Sequence, residues 1–286
     1  MKNIYQSSVF IITLLVFVLL FSCESGSDEN DFPIIQDNNT LVKIQDITNE
    51  KYTISLFNST GKLSTGYNEI YLQIKNKATG EIVTNGDLTW HPEMSMMTMM
   101  HSCPHSEIEK LTGQNLYKGF IIFQMAGNDS ERWKLTLDLT VDGQIDQLED
   151  FIEVNAAAKR NVEVFTGADN LRYILAMTAP SSPKIGINDI TAYLFQMVDM
   201  HTFIPVDGYT VKLDPRMPGM GNHSSPNNSD LIFNSVTGLY QGKVSLTMTG
   251  YWKLNLMVLD PSGNLLKGET VTGTQESSSL FFEIEF

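Results

Sequence analysis

Apolar and polar residues alternate along most of this chain. Tyr52–Phe57, Glu69–Ile74 and Trp133–Leu139 follow a two-residue period, and so do Gly242–Met248 and Trp252–Val258. That period, carried by β-branched and aromatic residues, predicts strands with one buried face. Turn signals separate the runs at Asn76–Gly80, Val141–Gly143 and Asp260–Gly263. No stretch keeps a helical period. Short strands with frequent turns predict an all-β protein of antiparallel sandwiches.

The pattern occurs twice. Pro215, Met217 and Met220 stand 123 residues after Pro92, Met94 and Met97. His223 and Pro226 stand 122 residues after His101 and Pro104. Tyr240, Gly242, Met248 and Gly250 return to the 123-residue offset from Tyr117, Gly119, Met125 and Gly127. Trp252 then follows Trp133 by 119, because Asn128–Glu131 lengthens a turn in the first copy. Copies of this length are whole domains, so the expectation is a tandem duplication and not a solenoid. Residues 41–157 should form the first β-sandwich and residues 158–286 the second. The connection near Asn155–Ala158 is too short for free tumbling.

The amino terminus reads as targeting sequence. Lys2 precedes a nearly unbroken apolar run, Val9–Phe21, which is short for a spanning helix and suited to a signal-peptide core. The run ends in Leu20-Phe21-Ser22-Cys23, which resembles a bacterial lipobox. The resemblance implies a leader over residues 1–22, lipidation of Cys23 and a mature chain of about 260 residues anchored to a membrane. Residues 23–40 are polar and acidic apart from Phe32–Ile35, a composition that predicts a flexible tether. Such a tether is similar to those of outer-membrane lipoproteins in Bacteroidota-type bacteria. The expected location is therefore the cell envelope, at the outer membrane's periplasmic or surface face.

Charge and cysteine usage narrow the function. The formal net charge of −14 argues against a nucleic-acid partner, whose phosphates need a basic surface. With Cys23 lipidated, Cys103 has no partner in the chain, because the sequence holds two cysteines. A leftover cysteine in an exported protein calls for another explanation than a disulfide.

The concentrated chemistry lies in two loops. HPEMSMMTMMHSCPH, residues 91–105, contains Met94, Met96, Met97, Met99, Met100, His101, Cys103 and His105. DPRMPGMGNHSSP, residues 214–226, contains Met217, Met220 and His223. Thioether, thiolate and imidazole are soft or borderline ligands and together favour Cu(I). Five methionines in seven positions cannot all face one core from a strand or a helix. The aligned ligand candidates are Met94, Met97, His101 and Met125 in the first copy, and Met217, Met220, His223 and Met248 in the second. Met100, Cys103 and His105 extend the first set, with Met96, Met99 and His91 as further donors. Zinc through His91, His101, Cys103 and His105 is the lesser alternative. Isolated methionines such as Met177 and Met257 read as core fillers. The Met197, Met200, His201 string falls in an alternating run and reads as structural. Pro92, Pro215 and Pro218 are expected to stiffen the loops, beyond strands ending near Trp90 and Leu213.

Met217–Pro226, followed by Gly238–Gly242 and Gly250–Leu254, resembles the YtkA-like domain family, which is related to FixH-like proteins. The second copy matches over about Asp189–Asp260; the first departs by replacing the Pro-Gly with extra methionines, a cysteine and a histidine. The resemblance implies an immunoglobulin-like sandwich and copper handling outside the cytoplasm. No zinc-protease, phosphate-loop or nucleophile-elbow motif is present, so the reading is non-enzymatic, with no catalytic residues. The expected partners are a copper ion and, for its exchange, a copper exporter, an oxidase assembly factor or another envelope protein. The competing reading is an envelope interaction module whose Met-rich loops bind a protein.

Overall fold

Alternation becomes burial strand by strand. From Arg132 to Thr140, every second side chain of Trp133, Leu135, Leu137 and Leu139 is buried while those between them are not. The computed structural model describes residues 34–36, 39–97 and 99–286; the leader, Cys23 and Thr98 lie outside the described residues. The protein is all-β, with one 3₁₀ turn at Pro218–Met220 and no α-helix among the described residues. No helix there is long and apolar enough to cross a membrane.

The first half contains β1 Ile34–Gln36, β2 Asn39–Thr48, β3 Tyr52–Asn58, β4 Leu63–Ser64, β5 Gly66–Asn76 and β6 Asp87–Ser95. These are followed by β7 Met100–Ser102, β8 Glu109–Lys110, β9 Tyr117–Phe123, β10 Arg132–Val141, β11 Gln144–Ile152 and β12 Val154–Asn155. One sheet runs β1-β2-β3-β5-β9-β8 and a second runs β11-β10-β6-β7. Their facing side chains form a core from Ile47 to Val154 that includes Trp90 and Trp133.

The second half contains β13 Val162–Thr166, β14 Arg172–Ala179, β15 Gly186–Met197, β16 Phe203–Pro205, β17 Thr210–Met217 and β18 His223–Ser224. It ends with β19 Ser229–Asn234, β20 Leu239–Leu246, β21 Tyr251–Leu259, β22 Leu265–Lys267 and β23 Phe281–Glu285. Its core runs from Phe165 to Ile284 around Trp252. Here β19 pairs with both β20 and β17, so hydrogen bonding joins the two faces into one continuous path.

The duplication reaches into hydrogen bonds. β5 and β15 each start at a glycine with left-handed φ, +91° at Gly66 and +112° at Gly186, where a Cβ would be strained. The asparagine two residues on ties down the preceding loop. Asn68 donates to the Ser64 and Gly66 carbonyls; Asn188 donates to those of Lys184 and Gly186. Tyr117 donates its hydroxyl to the Gly86 carbonyl, and Tyr240 to that of Val206.

The repeated Tyr-x-Gly now has a cause. A Cβ on Gly119 would lie 2.6 Å from Trp90 Cζ2; one on Gly242 would lie 2.7 Å from the Ser229 carbonyl oxygen. We expect Gly119→Ala and Gly242→Ala each to cost roughly 1–3 kcal/mol in urea unfolding. Gly242→Ala should be the worse, since a backbone carbonyl yields less than a ring edge.

Several expectations are corrected. β6 runs past Trp90 to Ser95, and β17 past Leu213 to Met217, with Pro92 opposite Leu135 and Pro215 opposite Leu254. A proline fits a paired strand where its missing N–H would point away from that neighbour. Within the expected tether, Ile34–Gln36 pairs with Asn39–Leu41. Met125 and Met248 lie just beyond β9 and β20, not on them. Residues 34–286 form one compact unit. Between the two cores sits a small cluster of Ile122, Ile174, Ala176 and Phe195, flanked by Phe120 stacked on Tyr193 at 4.7 Å.

Candidate functional site

Each Met/His loop is a hairpin, and its register sets the site. β7 folds back on β6 with Met94 opposite His101, while β10 on the other side puts Trp133 opposite Met94. Directly paired residues in a sheet share a face, about 4.5–5.5 Å apart at Cβ. His101, Met94 and Trp133 therefore form one row on the core-facing side. The His101 ring meets Trp133 edge-on at 5.3 Å. His101 Nδ1 lies 3.0 Å from the Ser102 carbonyl. With the proton on that nitrogen, Nε2 is the lone-pair atom.

The second copy repeats the register but not the burial: His223 stands opposite Met217 across β17–β18 yet is exposed, and the β17–β21 register carries Met217 to the level of Trp252. Both indoles donate 3.0 Å hydrogen bonds to a methionine carbonyl, Trp133 to Met125 and Trp252 to Met248. A Cβ on Gly250 would sit 3.2 Å from Met217 Cε, so the Met217 methyl reaches the Met248–Gly250 segment. Three aligned candidates per copy thus gather at one end of each sandwich: Met94, His101 and Met125, then Met217, His223 and Met248.

Their exposure divides them. Met94 and Met217 are buried in the two cores, so each fills a core position in its own sandwich. Met125 and Met248 are both 38% exposed, whereas Met97 is 90% and Met220 57% exposed. Met99 and Met100 are also exposed, and Met96 packs partly on the core.

Cys103 is enclosed as well. It lies wholly inside the first core, and burial pushes its thiol well above the ordinary range, which disfavours the thiolate that metals need. His105 sits behind it, with Nδ1 2.8 Å from the Cys103 carbonyl. Burial lowers the His105 pKa, the carbonyl contact opposes that shift, and His91 adds to it. His91 faces outward from β6, its Nε2 3.5 Å from Asp138 Oδ2. Among the described residues no three His, Cys, Asp or Glu side chains are grouped to hold an ion. The zinc set His91, His101, Cys103 and His105 is therefore not assembled, and an ion here would have to draw on thioethers.

Met200 and His201 also differ from expectation. β15 ends at Met197, and residues 198–202 form a turn instead of continuing the strand. The Met200 carbonyl accepts a 2.8 Å hydrogen bond from the Ser102 amide, and His201 Nδ1 lies 3.6 Å from Glu93 Oε1. About a hundred residues of separation concealed that meeting. A cavity of about 680 Å³ opens among Asn58, Lys62, Tyr67, Glu69, Asn161 and Thr178. It is lined by none of the candidate ligands.

The class defined so far is an all-β protein carrying a duplicated Met–His–Trp corner. No known protein-family model matches the chain, and no curated protein matches it. Among solved structures it is similar to a chimeric titin Z1Z2-Z1Z2 tandem functionalized with a GRGDS exogenous peptide from fibronectin. That similarity has 10% identity and a TM-score of 0.17, covering 78% of this chain and 93% of the other. At that score it carries no argument.

Proposed function

We propose that this chain is an exported, lipid-anchored protein of two immunoglobulin-like, YtkA-like sandwiches that binds Cu(I) for sequestration or delivery. The observation that carries the reading is the recurrence of one donor arrangement. In both copies a histidine pairs across a hairpin with a methionine, and a second methionine flanks the same tryptophan. Core packing explains Met94 and Met217. It does not explain Met97, Met99, Met100 and Met220, which face water. Thioethers bind Cu(I) without releasing a proton, so their share of the binding is expected to persist at mildly acidic pH, while the histidines contribute less as they protonate. Cys23 would supply the anchor and the acidic surface would draw cations. The exchange partner would be another envelope protein handling copper.

Native mass spectrometry of the purified chain with added Cu(I), under reducing conditions, tests the reading. Bound copper is expected, and the equivalents held by the Met94–His101 and Met217–His223 pairs should be lost when Met94, Met97, Met217 and Met220 become leucine and His101 and His223 become glutamine. A second reading rests on Met97, Met99 and Met100 as an exposed apolar tip. Methionine-rich surfaces adapt to protein partners. Absence of copper from the wild type, or full retention after the six substitutions, would favour that interaction module.

A further inference from the structure

The hairpin of the first copy has two faces, and the second face also gathers soft donors. In the β6–β7 register Glu93 stands opposite Ser102 and Ser95 opposite Met100. Side chains alternate along a strand, so Met100 and Glu93 lie on the face opposite Met94 and His101. Onto this outer corner comes the turn at residues 198–202 of the second copy. Its Met200 carbonyl accepts the Ser102 amide at 2.8 Å, which extends the β7 edge by one contact. Its His201 ring approaches the Glu93 carboxylate at 3.6 Å through Nδ1. The Asp199 carboxylate holds the turn in shape by accepting the His201 and Thr202 amides, both at 2.8 Å.

We propose that Met100, Met200 and His201 form a soft-metal site on the outer corner of the first hairpin, built from both copies and distinct from the inner row. The proposal rests on the reading of the hairpins as Cu(I) donors. Two thioethers and one imidazole make a three-donor set suited to Cu(I) and poorly suited to hard cations. Both methionines are exposed, 44% for Met100 and 38% for Met200, so packing does not account for them. Glu93 stands within ion-pair range of Nδ1, and a carboxylate that takes that nitrogen leaves Nε2 as the donor. Among the described residues the second hairpin is met instead by a segment of its own copy, the Glu276 carbonyl accepting from Asn222 Nδ2 at 2.9 Å, so the site belongs to the first copy alone. A metal held here ties residue 201 to residue 100. It thereby couples binding to the contact between the sandwiches.

The test titrates Cu(I) into the intact mature chain against a chromogenic Cu(I) chelator, under reducing conditions at neutral pH. Wild type is compared with Met100→Leu, Met200→Leu, His201→Gln, and the inner-row pair Met94→Leu with His101→Gln. We expect each outer-corner variant to lose one equivalent, or to bind it at least about tenfold more weakly. The metal-free melting temperature should stay close to wild type. The inner-row pair should retain the outer equivalent. Wild-type stoichiometry and affinity in all three outer-corner variants, with copper bound by the wild type, would overturn this site and leave the broader reading standing. No copper on the wild type would overturn both.

Discussion

Replacing Trp133 with alanine is expected to lower the unfolding free energy by about 3–5 kcal/mol, the range for emptying a large aromatic site in a core. The ring is wholly buried and packs edge-on against Phe123 at 4.9 Å and His101 at 5.3 Å. Its indole N–H holds the Met125 carbonyl, so the substitution also leaves that acceptor short of a donor. A protein of this kind has only about 5–15 kcal/mol to lose, so the change removes a large share of it. Trp252→Ala should behave alike in the second core, where the indole holds Met248. Chemical unfolding followed by far-UV circular dichroism measures both. A loss below about 1 kcal/mol in either variant would contradict the packing described.

The duplication was legible because its anchors are residues with few substitutes. Tyrosine, glycine and tryptophan recur at nearly constant spacing, and each has a fixed task in both copies: a hydroxyl on a loop carbonyl, a place without Cβ, and a core ring. The repeated Gly-x-Asn at Gly66–Asn68 and Gly186–Asn188 is equally readable, although it lies outside the methionine loops. Strand ends were less legible. Proline argued for breaks at Pro92 and Pro215, yet each strand continues, because one proline can sit in a ladder on the side that needs no N–H.

The candidate site was legible as composition and illegible as placement. Nothing in HPEMSMMTMMHSCPH reveals that Met94 and Cys103 point inward while Met97 and Met100 point out; the register decides that. The notion that Met200 and His201 belong to a continuous strand failed for a local reason. Asp199 captures two amides and turns the chain. The docking of that turn on Ser102 depends on how the two halves pack. No local periodicity records such packing.

Met94→Leu combined with Met217→Leu should separate packing from ligation. Leucine and methionine have similar volume, and such swaps in a core usually cost less than 1.5 kcal/mol. Alanine at the same sites would open cavities and cost about 2–5 kcal/mol each. Stability alone therefore reports whether the side chain fills its hole, and the leucine pair should pass that test. Copper affinity reports the sulfur. If these buried thioethers form the floor of the donor sets under His101 and His223, the leucine pair should bind Cu(I) at least about tenfold more weakly, about 1.4 kcal/mol per site. The chelator competition should show this loss at pH 5.5 as well as at pH 7.5, since a thioether carries no proton to release. Wild-type affinity in the leucine pair would make Met94 and Met217 packing residues only. Binding would then rest on the exposed Met97, Met125, Met220 and Met248 with the two histidines.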